Sequence, residues 1–172
     1  VGVAWFLYGR DLPDVETLRD VQLQVPLRVF TEDGRLIGVF GEKRRIPVSI
    51  DEAPECMKQA FIAGEDARFY EHPGVDYQGI TRAALALATT GEKTIGGSTI
   101  TQQLARNFFL TSEKTFTRKI KEIFLALRIE RELEKDQILE LYMNKIFLGY
   151  RAYGVGAAAE VYYGKSPRKL SL

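Results

Sequence analysis

The chain has 172 residues, 45% of them hydrophobic and 27% charged, with 24 Lys and Arg against 23 Asp and Glu. That composition suits one domain with a real core and excludes a whole-chain charge directed at nucleic acid. A single cysteine, Cys56, excludes a disulfide framework and a cysteine metal cluster, and the lone His72 leaves no material for a multi-histidine metal site.

Residues 1–8 are all apolar or small. Such a run is far shorter than the roughly 20 residues that cross a bilayer. It reads either as a buried N-terminal element or as the end of a transmembrane helix that starts upstream. Residues 9–26 carry two prolines and scattered charge and read as a connector. Leu27–Thr31 and Leu36–Phe40 flank Asp33-Gly34, a hairpin signal. Cys56, in an apolar stretch, is expected to be a small core residue. From Pro54 the pattern turns helical, with candidates at 54–64, 76–89, 98–110, 114–134, 136–147 and 153–163, separated by glycines. Ser166-Pro167 begins like a capped helix with proline at its first position.

Two helices carry unusual faces. In 98–110, Ser98 is placed to cap the helix, and Ile100, Leu104 and Phe108 form an apolar stripe. Thr99, Gln102, Gln103 and Arg106 recur on another face, offering a hydroxyl, amides and a guanidinium to a sugar-like or phosphate ligand, or merely to water. In 114–134, Phe116, Ile120, Ile123, Phe124 and Leu127 make the expected core stripe. Lys114, Arg118 and Glu122 share one face, with Lys119 and Lys121 beside them. Arg106 to Arg131 holds seven cations and three acids, enough positive charge for a pyrophosphate-sized anion or for ordinary i,i+4 pairing.

Glu65-Asp66 follows the first candidate helix and Gly64, and precedes Phe69, His72 and Gly74. A carboxylate there, beside aromatic residues, is expected to be partly desolvated and so fitted for general-base work. Glu122, set among cations, is the second candidate, and two carboxylates in contrasting environments suit glycosyl transfer chemistry. Spacing alone does not bring the two together. Gly164-Lys165-Ser166 lacks the upstream glycine of a phosphate-binding loop, since Ala159 stands there. Ser166-Pro167-Arg168-Lys169 lacks the companion motifs of penicillin-reactive serine enzymes.

Five blocks in order resemble the peptidoglycan glycosyltransferase domain of class A penicillin-binding proteins and the related monofunctional transglycosylases. Residues 65–74 match E-D-x-x-F-x-x-H-x-G. Gly96-Gly97-Ser98-Thr99-Ile100-Thr101-Gln102-Gln103 matches G-x-S-T-x-x-Q-Q, and Arg118-Lys119-Ile120-Lys121-Glu122 matches R-K-x-x-E. Residues 138–144 and 156–165 supply the other two blocks. The hairpin is similar to the segment before this domain in the long penicillin-binding proteins of Gram-negative bacteria. Departures are mild: Tyr163 replaces the usual Phe, and Arg106 and Lys114 stand where either basic residue occurs.

The resemblance implies a mainly α, lysozyme-like bilobal fold with a head lobe, a membrane-associated jaw lobe and a small N-terminal β-hairpin. It implies residues 1–8 as the end of a membrane anchor, 9–46 as linker and hairpin, and 47–172 as the glycosyltransferase domain, truncated at its C-terminus and followed by a transpeptidase domain. The implied activity is polymerisation of lipid II at the periplasmic face of the inner membrane, inverting at MurNAc C1 and releasing undecaprenyl pyrophosphate. Implied partners are lipid II, the growing glycan strand, the membrane surface and other cell-wall synthesis proteins, but not nucleic acid. By the same carry-over Glu65 is the general base and Glu122 assists at the donor phosphates, either orienting them or holding a divalent cation such as Mg or Mn. Ser98, Thr99, Gln102, Gln103, Arg106, Lys114, Arg118 and Lys119 bind sugar and pyrophosphate, and Asp66, Phe69, His72 and Gly74 support the base. Moenomycin is the implied inhibitor. Glu140, Tyr142 and Asn144 are expected to hold the fold together, and 91–97 to gate the site. A glycan hydrolase and a non-catalytic glycan-binding module are the alternatives; the basic face argues against the first and the intact carboxylates against the second.

Overall fold

The computed structural model describes residues 12–19, 21, 23–41, 44–91, 97–110 and 115–170. The Asp-Gly signal is met by an antiparallel hairpin of β1 (Leu27–Phe30) and β2 (Leu36–Phe40), with Leu27 opposite Phe40. Its turn places Gly34 at φ +81°, a conformation glycine adopts without the cost that a Cβ brings. The apolar residues Leu27, Phe30, Ile37 and Phe40 stay exposed, so the hairpin stands off the core.

The rest is mainly helical. Among the described residues the helices are α1 (Glu55–Glu65), α2 (Tyr77–Thr90), α3 (Ile100–Phe109), α4 (Phe116–Glu132), α5 (Lys135–Lys145) and α6 (Val155–Tyr163). Each lies within a few residues of its expected range, because capping residues and glycines mark its ends. The Ser166-Pro167 signal yields only a 3-10 turn, Pro167–Lys169. Two further strands, β3 (Arg44–Arg45) and β4 (Ala152–Tyr153), pair in parallel. Two-residue strands are too short to show a period in sequence.

Helices α3, α4 and α5 pack on one another, and their inner faces make the core: Ile100, Leu104, Leu125, Ile129, Ile138, Leu139 and Tyr142 are fully buried. Cys56 sits half-buried rather than in that core. The expected stripe of α4 is displaced. Phe116 is 90% exposed, while Glu122, Leu125, Ala126 and Ile129 point inward. The helix turns a carboxylate into the interior because the neighbouring turn supplies cations for it.

Glu140 and Asn144 stitch the chain before α1 to α5. The Asn144 amide accepts from Val48 N–H at 2.9 Å and donates to Val48 C=O at 2.7 Å, acting as a surrogate strand partner. One turn earlier, Glu140 accepts from Ile50 N–H at 2.7 Å. Among the described residues no helix is long and apolar enough to cross a membrane. Residues 1–8, the Glu92–Gly96 part of the expected gate, and Lys114 lie outside the described residues.

Candidate active site

Helix α1 ends at Glu65, and its two terminal carboxylates part company. Asp66 turns inward and is buried, whereas Glu65 is exposed. The expected desolvation therefore falls on Asp66, because Asp66 leaves the helix at φ −160° and swings toward the start of α3. There it accepts Ile100 N–H at 3.0 Å, a carboxylate on a helix N-terminus. It also accepts from His72 Nε2 at 2.8 Å. His72 Nδ1 in turn accepts Gly74 N–H at 3.2 Å, which puts the ring proton on Nε2.

Gly74 closes this loop against α4. It sits at φ +88°, and a Cβ there would meet the Ala126 carbonyl oxygen at 2.9 Å. Its own carbonyl accepts from Thr99 Oγ1 at 2.6 Å. Phe69 fills the interior beneath the loop, with the Lys135 ammonium 4.5 Å from its ring centroid. Asp66, Phe69, His72 and Gly74 thus strap the end of α1 to the start of α3.

Helix α3 is capped by Thr99, not Ser98: Thr99 Oγ1 accepts Gln102 N–H at 3.1 Å. Either hydroxyl suits a cap, and using Thr99 leaves Ser98 free to accept from Lys119 Nζ at 2.8 Å. Thr99 and Gln102 are buried, so the polar face expected of this helix is partly spent on internal contacts. Gln102 Oε1 accepts from Lys119 Nζ at 3.1 Å. Gln103 instead turns outward and donates from Nε2 to Glu65 Oε2 at 2.8 Å.

Glu122 is 2% exposed and is clasped by Arg118 on one oxygen and by Lys119 Nζ, at 3.1 Å, on the other. A buried carboxylate needs such partners, since removing one charge from water unpaired costs several kcal/mol. The Nε of Arg118 is buried and has no hydrogen-bond partner among the described residues. Glu122 belongs to no cluster of three or more metal-ligating side chains among the described residues. A lone carboxylate between two cations does not fit a divalent ion.

Sequence reasoning assigned Tyr142 to the fold alone. Its ring is fully buried, edge-on to Phe61 at 6.0 Å, but its hydroxyl donates to Gln103 Oε1 at 3.2 Å. Burial, reinforced by the charge of Glu65 and opposed by that of Arg106, raises its pKa well above the ordinary phenol value. Both charges therefore lie within electrostatic reach of this hydroxyl. The available signal was Tyr at an inward position, since a buried phenol requires a polar partner.

The geometry brings Glu65 and Tyr142 together around Gln103, and Ser98, Gln102, Arg118 and Glu122 together around Lys119. The arrangement offers one accessible carboxylate for proton transfer and a cationic group suited to an anionic leaving group.

A family model described as transglycosylase matches residues 33–172. The chain is 63% identical over 161 residues to penicillin-binding protein 1A of Escherichia coli, covering 94% of this chain and 19% of that protein. It is 60% identical over 168 residues to penicillin-binding protein 1A of Vibrio cholerae, covering 98% and 20% respectively. The chain thus spans about a fifth of the length of the curated relatives it matches. Penicillin-binding protein 1A from Haemophilus influenzae, solved by crystallography, aligns over 88% of this chain and 13% of its own at 32% identity and a TM-score of 0.39.

Proposed function

The chain belongs to the transglycosylase family, and from that premise we propose that it polymerises lipid II into β-1,4 glycan strands of peptidoglycan. In this reading Glu65 takes the proton from the 4-hydroxyl of the acceptor GlcNAc. That oxygen attacks C1 of the donor MurNAc, and the C1–O bond to the pyrophosphate breaks on the opposite face. Configuration at C1 inverts from α to β, and undecaprenyl pyrophosphate leaves with the bonding pair.

The observation that carries this reading is the pair of glutamines on α3. Gln103 aims an accessible carboxylate, while Gln102 braces a lysine that shares a buried carboxylate with an arginine. Charge building on the pyrophosphate is met by Arg118, Lys119, Arg106 and Lys114. The Nε of Arg118, without a partner among the described residues, is a donor that an anion would satisfy. Glu122 orients the two cations and carries no proton in the reaction. Ser98 and Gln103 contact the sugars; Thr99 and Gln102 act by fixing them. A hydrolase reading needs a second carboxylate free to handle a proton or a water, and both oxygens of Glu122 face cations instead.

With this reading go a head lobe bearing the site, a jaw lobe on the periplasmic surface of the inner membrane, the end of a membrane anchor in residues 1–8 and a linker with hairpin in 9–46. The test is incubation of the full-length protein with purified lipid II in detergent, with products resolved by size. A ladder of lysozyme-sensitive glycan supports the polymerase. Lipid II left intact while preformed glycan is trimmed assigns the site to a hydrolase.

A further inference from the structure

We propose that Tyr142 is a positioning residue for Glu65, acting through Gln103, an inference that rests on Glu65 being the base. Glu65 stands exposed at the last position of α1, where a side chain has little packing to fix it. Among the described residues its hydrogen-bond partner is Gln103 Nε2, at 2.8 Å on Oε2. That leaves Oε1 to receive a proton.

An amide, however, has two ends of similar shape, and only the NH2 end attracts a carboxylate. Rotated by half a turn, Gln103 would present its carbonyl oxygen to Glu65 and repel it. Tyr142 removes this ambiguity. Its buried hydroxyl carries a proton that must find an acceptor, and Gln103 Oε1 lies 3.2 Å away. The carbonyl end is thereby committed to Tyr142 and the NH2 end to Glu65.

The hydroxyl is itself fixed by the core. The Tyr142 ring is fully buried, stands edge-on to Phe61, and belongs to α5, which packs directly on α3. A rigid interior thus reaches an exposed reacting group through one half-buried amide. Substrate positioning of this kind is worth up to about a hundred-fold in rate when lost. Packing alone would be served as well by Phe at this position.

The experiment is a double-mutant cycle in the full-length protein: Tyr142→Phe, Gln103→Ala, the double variant, and Glu65→Gln as reference. Each is assayed for kcat and KM on lipid II, with folding followed by thermal melting. Tyr142→Phe is expected to lower kcat about ten-fold with KM unchanged, and to add no further loss in the Gln103→Ala background. Wild-type kcat in Tyr142→Phe, or an equal loss with and without Gln103, overturns the relay. Wild-type turnover in Glu65→Gln overturns the base assignment, and the relay with it, whatever the cycle shows.

A second measurement leaves the phenol in place. With 3-fluorotyrosine at position 142, the fluorine resonance shifts on Gln103→Ala if the hydroxyl bonds that amide. An unmoved resonance contradicts the contact even if Tyr142→Phe fails to fold.

Discussion

Gln102 and Gln103 are neighbours on α3, yet their amides serve different partners, Gln102 accepting from Lys119 and Gln103 donating to Glu65. Successive helical residues are about 100° apart, so one dipeptide can serve two groups of side chains. The exposed carboxylate and the buried, cation-clasped one are organised from the same turn of helix.

Gly74→Ala adds a single methyl group and is expected to be damaging. The position needs φ +88°, and the new Cβ would press on the Ala126 carbonyl oxygen. A loss of about 2 kcal/mol or more is expected from strain and overpacking together. Chemical denaturation checks this, and unchanged stability would mean that the loop sits farther from α4.

Asp66→Ala strands two buried donors, Ile100 N–H and His72 Nε2–H. The expected cost is about 2–5 kcal/mol. Because His72 acts on the same carboxylate, Asp66→Ala and His72→Ala together should cost less than their sum. Additive losses in a double-mutant cycle would separate the two residues.

How much of this was legible before the structure differs from residue to residue. Helix positions were, because caps and glycines signal ends locally. The hairpin was, from Asp33-Gly34. The inward face of α4 was not: Phe116, Ile120, Ile123, Phe124 and Leu127 make the larger apolar stripe, yet Glu122 with Leu125, Ala126 and Ile129 is buried. Hydrophobic periodicity cannot foresee a buried carboxylate whose charge is compensated within its own helix. Nor could it assign burial within Glu65-Asp66, which the backbone turn at Asp66 decides. The reach of Tyr142 to Gln103 depends on the packing of α3 against α5, a relation that no spacing along the chain encodes.

Asn144→Ala removes both hydrogen bonds that tie Val48 to α5 and leaves the Val48 peptide groups buried without partners. Destabilisation of about 2–4 kcal/mol is expected, read from the denaturation midpoint. Turnover per folded molecule should stay at the wild-type level, since Asn144 touches none of the proposed site.

Tyr70 donates to Asp136 Oδ1 at 2.9 Å, and its pKa is pushed up from 10 to about 12 by burial first and then by this hydrogen bond. A raised folded-state pKa means that the stability carried by the neutral phenol, from burial first and then the bond, is fully present below about 10 and is lost as pH climbs toward 12. The residue is half-exposed, so solvent screening keeps the slope shallow. Stability measured across that alkaline window should decline less steeply in Tyr70→Phe than in the wild type. Identical slopes would show that the Tyr70–Asp136 bond contributes nothing.

Whether Glu65 is the base is tested by single-turnover kinetics of Glu65→Gln against the wild type, with lipid II binding measured on the same preparations. The substitution keeps shape and hydrogen bonding but cannot accept a proton. With Glu65 as the base, the chemical step slows about a hundred- to ten-thousand-fold while binding is unchanged. Turnover within a few-fold of the wild type would contradict it and move the base elsewhere.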